Sequence, residues 1–79
     1  MSNKLITQLL RLLDYNQCET IVFVDGEAGF YNFKTLQNFI TLVQNDDVVI
    51  PDIDTYYLSN ATIQKSLFDE KDIVYLFLK

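Results

Sequence analysis

The chain is 79 residues long and 49% apolar, with six basic against eleven acidic residues and a formal net charge of −5. That length holds one domain, residues 1–79, whose stability is modest because folding at this size buries only about 60% of the unfolded chain's surface. The apolar share argues against both intrinsic disorder and a membrane protein, and the shortage of Lys and Arg argues against direct DNA or RNA binding, which neutralises phosphates with several cations.

The first predicted element is a helix. Leu5, Ile6, Leu9, Leu10, Leu12 and Leu13 fall within an arc of about 160° at 100° per residue, with Lys4, Thr7, Gln8, Arg11 and Asp14 opposite them. Ser2 or Asn3 can cap its first turn through a side-chain oxygen. The Leu face is expected to pack on a sheet; a partner helix or a second copy is its alternative use. Thr7, Gln8 and Arg11 interrupt the apolar stretch and no small-residue cleavage site follows, so it does not read as a signal peptide.

Over 20–25, Ile21, Val22, Phe23 and Val24 form a run too short for a stable helix and rich in strand formers. Asp25 and Gly26 signal a turn, and Phe30, Tyr31 and Phe33 supply the second arm of a hairpin. Gly26 and Gly29 have the spacing of a loop that clamps nucleic acid, but Glu27 stands where such loops carry basic side chains. A second helix follows, capped by Asn32 or Thr35, with Leu36, Phe39, Ile40 and Val43 on its apolar face and Gln37, Asn38, Thr41 and Gln44 outside. Asn45, Asp46 and Asp47 stop it by competing for backbone hydrogen bonds.

Val48, Val49 and Ile50 read as a strand that Pro51 confines to an edge or ends. A second extended piece is expected over 52–59. Strand alternation there puts Asp52, Asp54 and Tyr56 on one face and Ile53, Thr55 and Tyr57 on the other, with like-facing residues about 6.6 Å apart. Residues 60–68 fit a short capped helix on Ile63 and Leu67, the preferred reading, and a hairpin arm over 62–68 fits nearly as well. A charged turn over 69–72 leads to a closing strand over 73–78, apolar on both faces and therefore central. The expected fold is α+β, a small mostly antiparallel sheet covered by two amphipathic helices in the order α-β-β-α-β-β-(α)-β. The run at 73–78 is far shorter than the roughly 20 residues that span a bilayer.

Catalytic patterns are sparse. The chain has no His, one Cys, no GxSxG and no phosphate-cradling glycine loop. Asp52 and Asp54 are carboxylates of the kind that bind Mg²⁺ or Ca²⁺, but the Ca²⁺-loop pattern does not surround them. A two-carboxylate hydrolase needs a pocket that so short a chain has little volume to build. The expectation is a protein that is not an enzyme, with no cofactor and no metal. Cys18 has no partner for a disulfide within the chain, which suits a reducing compartment and a cytoplasmic location.

Charge is the distinctive feature. Residues 1–39 carry a net −1 and residues 40–79 a net −4, and no basic residue lies between Lys34 and Lys65. Asp46, Asp47, Asp52 and Asp54 crowd that gap and lead into Tyr56 and Tyr57. Such a cluster attracts a basic partner and repels nucleic acid and anionic membrane; it also simply keeps a small apolar domain in solution. In size and charge the chain resembles compact acidic inhibitors of phages and mobile elements, the anti-CRISPR, anti-restriction and glycosylase-inhibitor proteins, which have unrelated folds. That resemblance of composition implies a module that occupies the nucleic-acid-binding surface of a host protein. Asp46, Asp47, Asp52 and Asp54 would supply charge and Tyr56 the anchor. The alternative is a homodimeric structural or accessory subunit with the Leu-rich helix or the C-terminal strand as interface, since oligomerisation is a common remedy for a small core.

Overall fold

A computed structural model describes residues 3–26, 29–68 and 71–79. Along it run α1 (Asn3–Leu10), β1 (Glu19–Val24), β2 (Gly29–Phe33), α2 (Leu36–Gln44), β3 (Leu58–Lys65) and β4 (Asp72–Leu78), with 3₁₀ turns at Leu13–Tyr15 and Ile53–Thr55. The caps expected from Ser2 or the Asn3 side chain, Glu27 of the glycine loop, and Asp69 and Glu70 of the charged turn lie outside the described residues.

The fold is the expected small α+β arrangement. Its sheet has the order β2-β1-β4-β3. The outer pairs β1/β2 and β3/β4 are antiparallel, while the two central strands, the first and last of the chain, run parallel from Glu19↔Ile73 to Val24↔Leu78. Thr20, Val22 and Val24 of β1 and Val74, Leu76 and Leu78 of β4 share one face and are all buried. The buried Thr20 hydroxyl is satisfied by donating to the Cys18 carbonyl at 3.1 Å.

Both helices lie on that face. Leu5 and Leu9 of α1 and Leu36, Phe39, Ile40 and Val43 of α2 join the strand residues in one cluster, in which the Phe33 and Phe39 rings meet at 4.7 Å. The Leu arc of the first helix is only partly used. After Leu10 the chain tightens to i→i−3 bonds, Arg11 N–H to Gln8 O and Leu12 N–H to Leu9 O, and enters a 3₁₀ turn. Leu10 and Leu13 remain 42% and 46% exposed.

Gln8, which the helical pattern puts on the polar side, is the tie between α1 and the sheet. Its Nε2 donates to Leu58 O at 3.1 Å and its Oε1 accepts from Leu58 N–H at 2.8 Å. The side-chain amide thus acts as one residue of a neighbouring strand at the start of edge strand β3, where Ser59 is bulged and unpaired backbone groups are otherwise left.

Three expectations change. Residues 48–50 form no strand: Ile50 turns into the core while Val49 stays 73% exposed, and the segment pairs with nothing in the sheet. Asp52 has φ 55°, a left-handed backbone that no strand accommodates, and a 3₁₀ turn follows with Thr55 N–H bonded to Asp52 O. The alternation expected of Asp52, Asp54 and Tyr56 is therefore absent. Residues 60–65 form a strand, not a helix: β3 pairs with β4 from Leu58↔Leu78 to Lys65↔Asp72, because the central strand's second edge needs backbone partners and Thr62 and Ile63 suit extended structure.

The far face of the sheet is uncovered among the described residues. Ile21 and Phe23 of β1 and Ile73, Tyr75 and Phe77 of β4 point there, half-buried by their neighbours and outside the core cluster. Phe77 lies in an offset stack on Phe23 at 5.2 Å and 12°, and Phe30 of β2 tilts against Phe23 at 6.3 Å.

The Gln8 bracket gives a direct test. Gln8→Ala leaves both Leu58 backbone groups without their partner and is expected to lower unfolding free energy by about 1 to 3 kcal/mol, read from urea unfolding followed by circular dichroism.

Candidate functional site

Thr35 opens α2 as one of the two expected caps, its Oγ1 accepting from Asn38 N–H at 2.9 Å. The other end is closed by a Schellman turn in which Asp46 N–H bonds Val43 O and Asp47 N–H bonds Leu42 O. Asp46 occupies the left-handed position at φ 56°, usually held by Gly. Asp46 and Asp47 thus lie just beyond the helix and serve its termination.

From there residues 47–57 cross the end of the sheet. Ile50 and Ile53 plug the core, 3% and 8% exposed, which turns Pro51, Asp52 and Asp54 outward. Tyr56 is half-buried against the core. Its Oη donates to Asp25 Oδ2 at 3.0 Å, clipping the loop to the residue that follows β1. Asp25 is itself fixed by its N–H on Leu78 O at 3.0 Å and has a left-handed φ of 50°.

Asp25, Tyr31, Ile50, Pro51, Asp52 and Tyr56 line a cleft of about 180 Å³. No Lys or Arg is among its described lining residues. The hydrogen bond to Asp25 pushes the Tyr56 phenol above its ordinary pKa, with burial and then the carboxylates of Asp25 and Asp52 adding in the same direction. The phenol is thus held protonated as a donor, and the carboxylates stand ready to accept. This geometry suits an ammonium or guanidinium group: two anionic acceptors, a fixed hydroxyl, and apolar walls for a side-chain stem.

The five expected site residues separate. Asp52 and Tyr56 come together at the cleft; Asp46, Asp47 and Asp54 do not line it. Asp25 joins the site although its sequence context, Asp-Gly after a strand, reads only as a turn. Tyr57, the neighbour of Tyr56, has Lys4 Nζ 5.1 Å from its ring centroid and pairs its backbone with Lys79 in both directions.

Other chemistry is thin. Among the described residues no three His, Cys, Asp or Glu side chains gather to hold a metal ion. Cys18 is a free thiol whose pKa is pushed up, first by burial and then by Asp72, so it is a poor nucleophile at neutral pH. No described helix is long and apolar enough to cross a membrane. No family model matches the chain, and no curated protein or solved structure shows significant similarity to it.

Two measurements check the local chemistry. Asp46→Gly removes both a strained backbone and a carboxylate from the negative end of a helix, and is expected to raise unfolding free energy by about 1 kcal/mol in chemical denaturation. For Tyr56 the raised pKa means that the fold favours the neutral phenol, so its contribution is complete below the ordinary tyrosine pKa and disappears as pH rises through the folded-state value. The stability difference between wild type and Tyr56→Phe should therefore shrink in the alkaline range, and in absorbance titration Asp25→Asn should shift one tyrosine to lower pH.

Proposed function

We propose that the protein is a non-catalytic, acidic protein-binding module. It offers the cleft of Asp25, Asp52 and Tyr56, flanked by the carboxylates of the 46–54 segment, to Lys or Arg side chains of a basic protein partner. The observation that carries this reading is the convergence of Asp25 and Asp52 on a hydroxyl-bearing cleft without a cation among its described lining residues.

The backbone supports it indirectly. The non-glycine left-handed residues among those described are Asp25, Asp46 and Asp52. Asn tolerates that conformation as well as Asp does, and Gly better, so turn geometry accounts for a short polar side chain at each position and leaves the negative charge unexplained. A cationic partner for these carboxylates would account for it.

The natural partner for such a surface is a nucleic-acid-binding protein of the cytoplasm, whose cations would meet carboxylates where phosphates ordinarily sit. This is the mode of the acidic phage inhibitors that the composition resembles. Exposed ion pairs contribute only about 0.2 to 1 kcal/mol each. The carboxylates would therefore set encounter rate, orientation and salt dependence, with Tyr56 and the apolar cleft walls supplying the short-range contact.

Capture of a partner from nuclease-treated bacterial lysate tests this. Replacing Asp46, Asp47, Asp52 and Asp54 with Asn should leave the circular dichroism spectrum unchanged while weakening capture, and raised salt should do the same to the wild type. A partner retained by the four-Asn variant at high salt would sink the electrostatic reading.

A further inference from the structure

A separate surface carries an inference beyond the acidic cleft. The open face of the sheet presents Phe23, Phe30, Tyr75 and Phe77 with Ile21 and Ile73, and none of them packs on the core. At one end of it the β3–β4 turn projects Leu67 and Phe68, which are 96% and 98% exposed. Together with Ile73 and Tyr75 they border a second cleft, of about 360 Å³. Contiguous apolar surface of this kind on a small domain marks an interaction site.

We propose that this face seats a second copy of the same chain, sheet against sheet, with each copy's Leu67–Phe68 turn resting on its partner. Charge is the first argument. In a chain of net −5, the described strand residues whose side chains belong to the open face include a single carboxylate, Glu19, which accepts from the Asn32 amide at 3.2 Å, and no cation. Asn32, Asn60, Thr62 and Gln64 flank it on the two edge strands, and Lys65 lines the cleft at its turn end, so the sheet face itself brings few like charges together when two acidic chains meet on it.

Self-complementarity is the second argument. Phe23, Phe30 and Phe77 cluster at the C-terminal ends of β1 and β4, while Leu67 and Phe68 precede the N-terminal end of β4. When two sheets meet about a two-fold axis that reverses strand direction, the projecting pair of each copy arrives over the aromatic cluster of the other, and the contact is the same from both sides. One chain thus supplies both the projection and the surface it fits.

Area is the third. Four strands about 4.8 Å apart, at about 3.3 Å per residue, give a face of roughly 400 Å² in plan. Two such faces with two projecting turns reach the roughly 1,000 Å² of total burial at which a specific interface begins. A single-stranded nucleic acid is the poorer occupant: base stacking needs free ring faces beside cations, whereas Phe23 and Phe77 already stack on one another.

Sedimentation equilibrium on the wild type, Phe77→Lys and Phe68→Lys decides the matter. The wild type is expected to reach twice its 9.2 kDa mass with rising concentration. Each variant should weaken association by at least about tenfold, as loss of an aromatic anchor does, with an unchanged circular dichroism spectrum. Phe68 is fully exposed at a turn, so its replacement tests the interface even if the Phe77 variant misfolds. A wild type that stays monomeric at every concentration would overturn the proposal. So would self-association indifferent to Phe68→Lys, or a monomer that uses Phe68 and Phe77 to hold a different protein or a single-stranded oligonucleotide.

Discussion

The parallel pairing of β1 with β4 is the constraint on which the remaining structure depends. It joins the first and last strands of the chain along six residue pairs and places Val22 beside Leu76 with no exposure of either. Once those strands occupy the centre, β2 and β3 can only be edges, and each is delivered by its own antiparallel partner. Among the described residues two short helices are then left to cover the sheet, and together they cover one face. The alternation along β1 and β4 follows from this: buried residues on the helix side, half-buried Ile, Phe and Tyr on the other.

The ends of the core need closing as well. Residues 47–57 do this by pushing Ile50 and Ile53 inward, and sharp backbone reversals at Asp46 and Asp52 make that path possible. Tyr56 fastens the segment to Asp25, so one hydrogen bond links the turn after β1 to the approach to β3. The cleft forms where this closure brings the two loops together. It exists because the reversals fall at aspartates and because the two loops must meet at the same end of the sheet.

What the sequence made legible follows the strength of local pattern. The i, i+3, i+4, i+7 face of α2 is buried residue for residue, and the doubly apolar run of β4 marked it as central, because both signals come from burial itself. β3 was obscure for a physical reason: Ser59, Asn60, Thr62, Gln64 and Lys65 give it little apolar character, and it is a strand because β4 needs a partner. The Leu arc overstated α1, since Leu10 lies well round the helix from Leu5 and the backbone tightens before Leu13. At the candidate site, Asp52 and Tyr56 were visible through charge and aromaticity. Asp25 was hidden, because its partner stands 31 residues away and only the closure of the loop brings them together. Gln8 was hidden in the same way, 50 residues from Leu58.

The acidic cleft and the open sheet face do not compete for the same space. The strand residues at the cleft, Val24, Gly29 and Tyr31, belong to the helix side of the sheet by their register with Leu78 and Val22, so the cleft opens at the end of the core layer. A second copy on the opposite face would leave it clear. Two copies would then display two acidic clefts on one rigid body, and a basic protein with repeated cationic sites would be held by both. Individually weak, salt-screened contacts gain strength in that arrangement because the second forms at high effective concentration. Pairing through a face that carries little charge would therefore give modest carboxylate contacts a route to useful affinity that a lone domain with net charge −5 lacks.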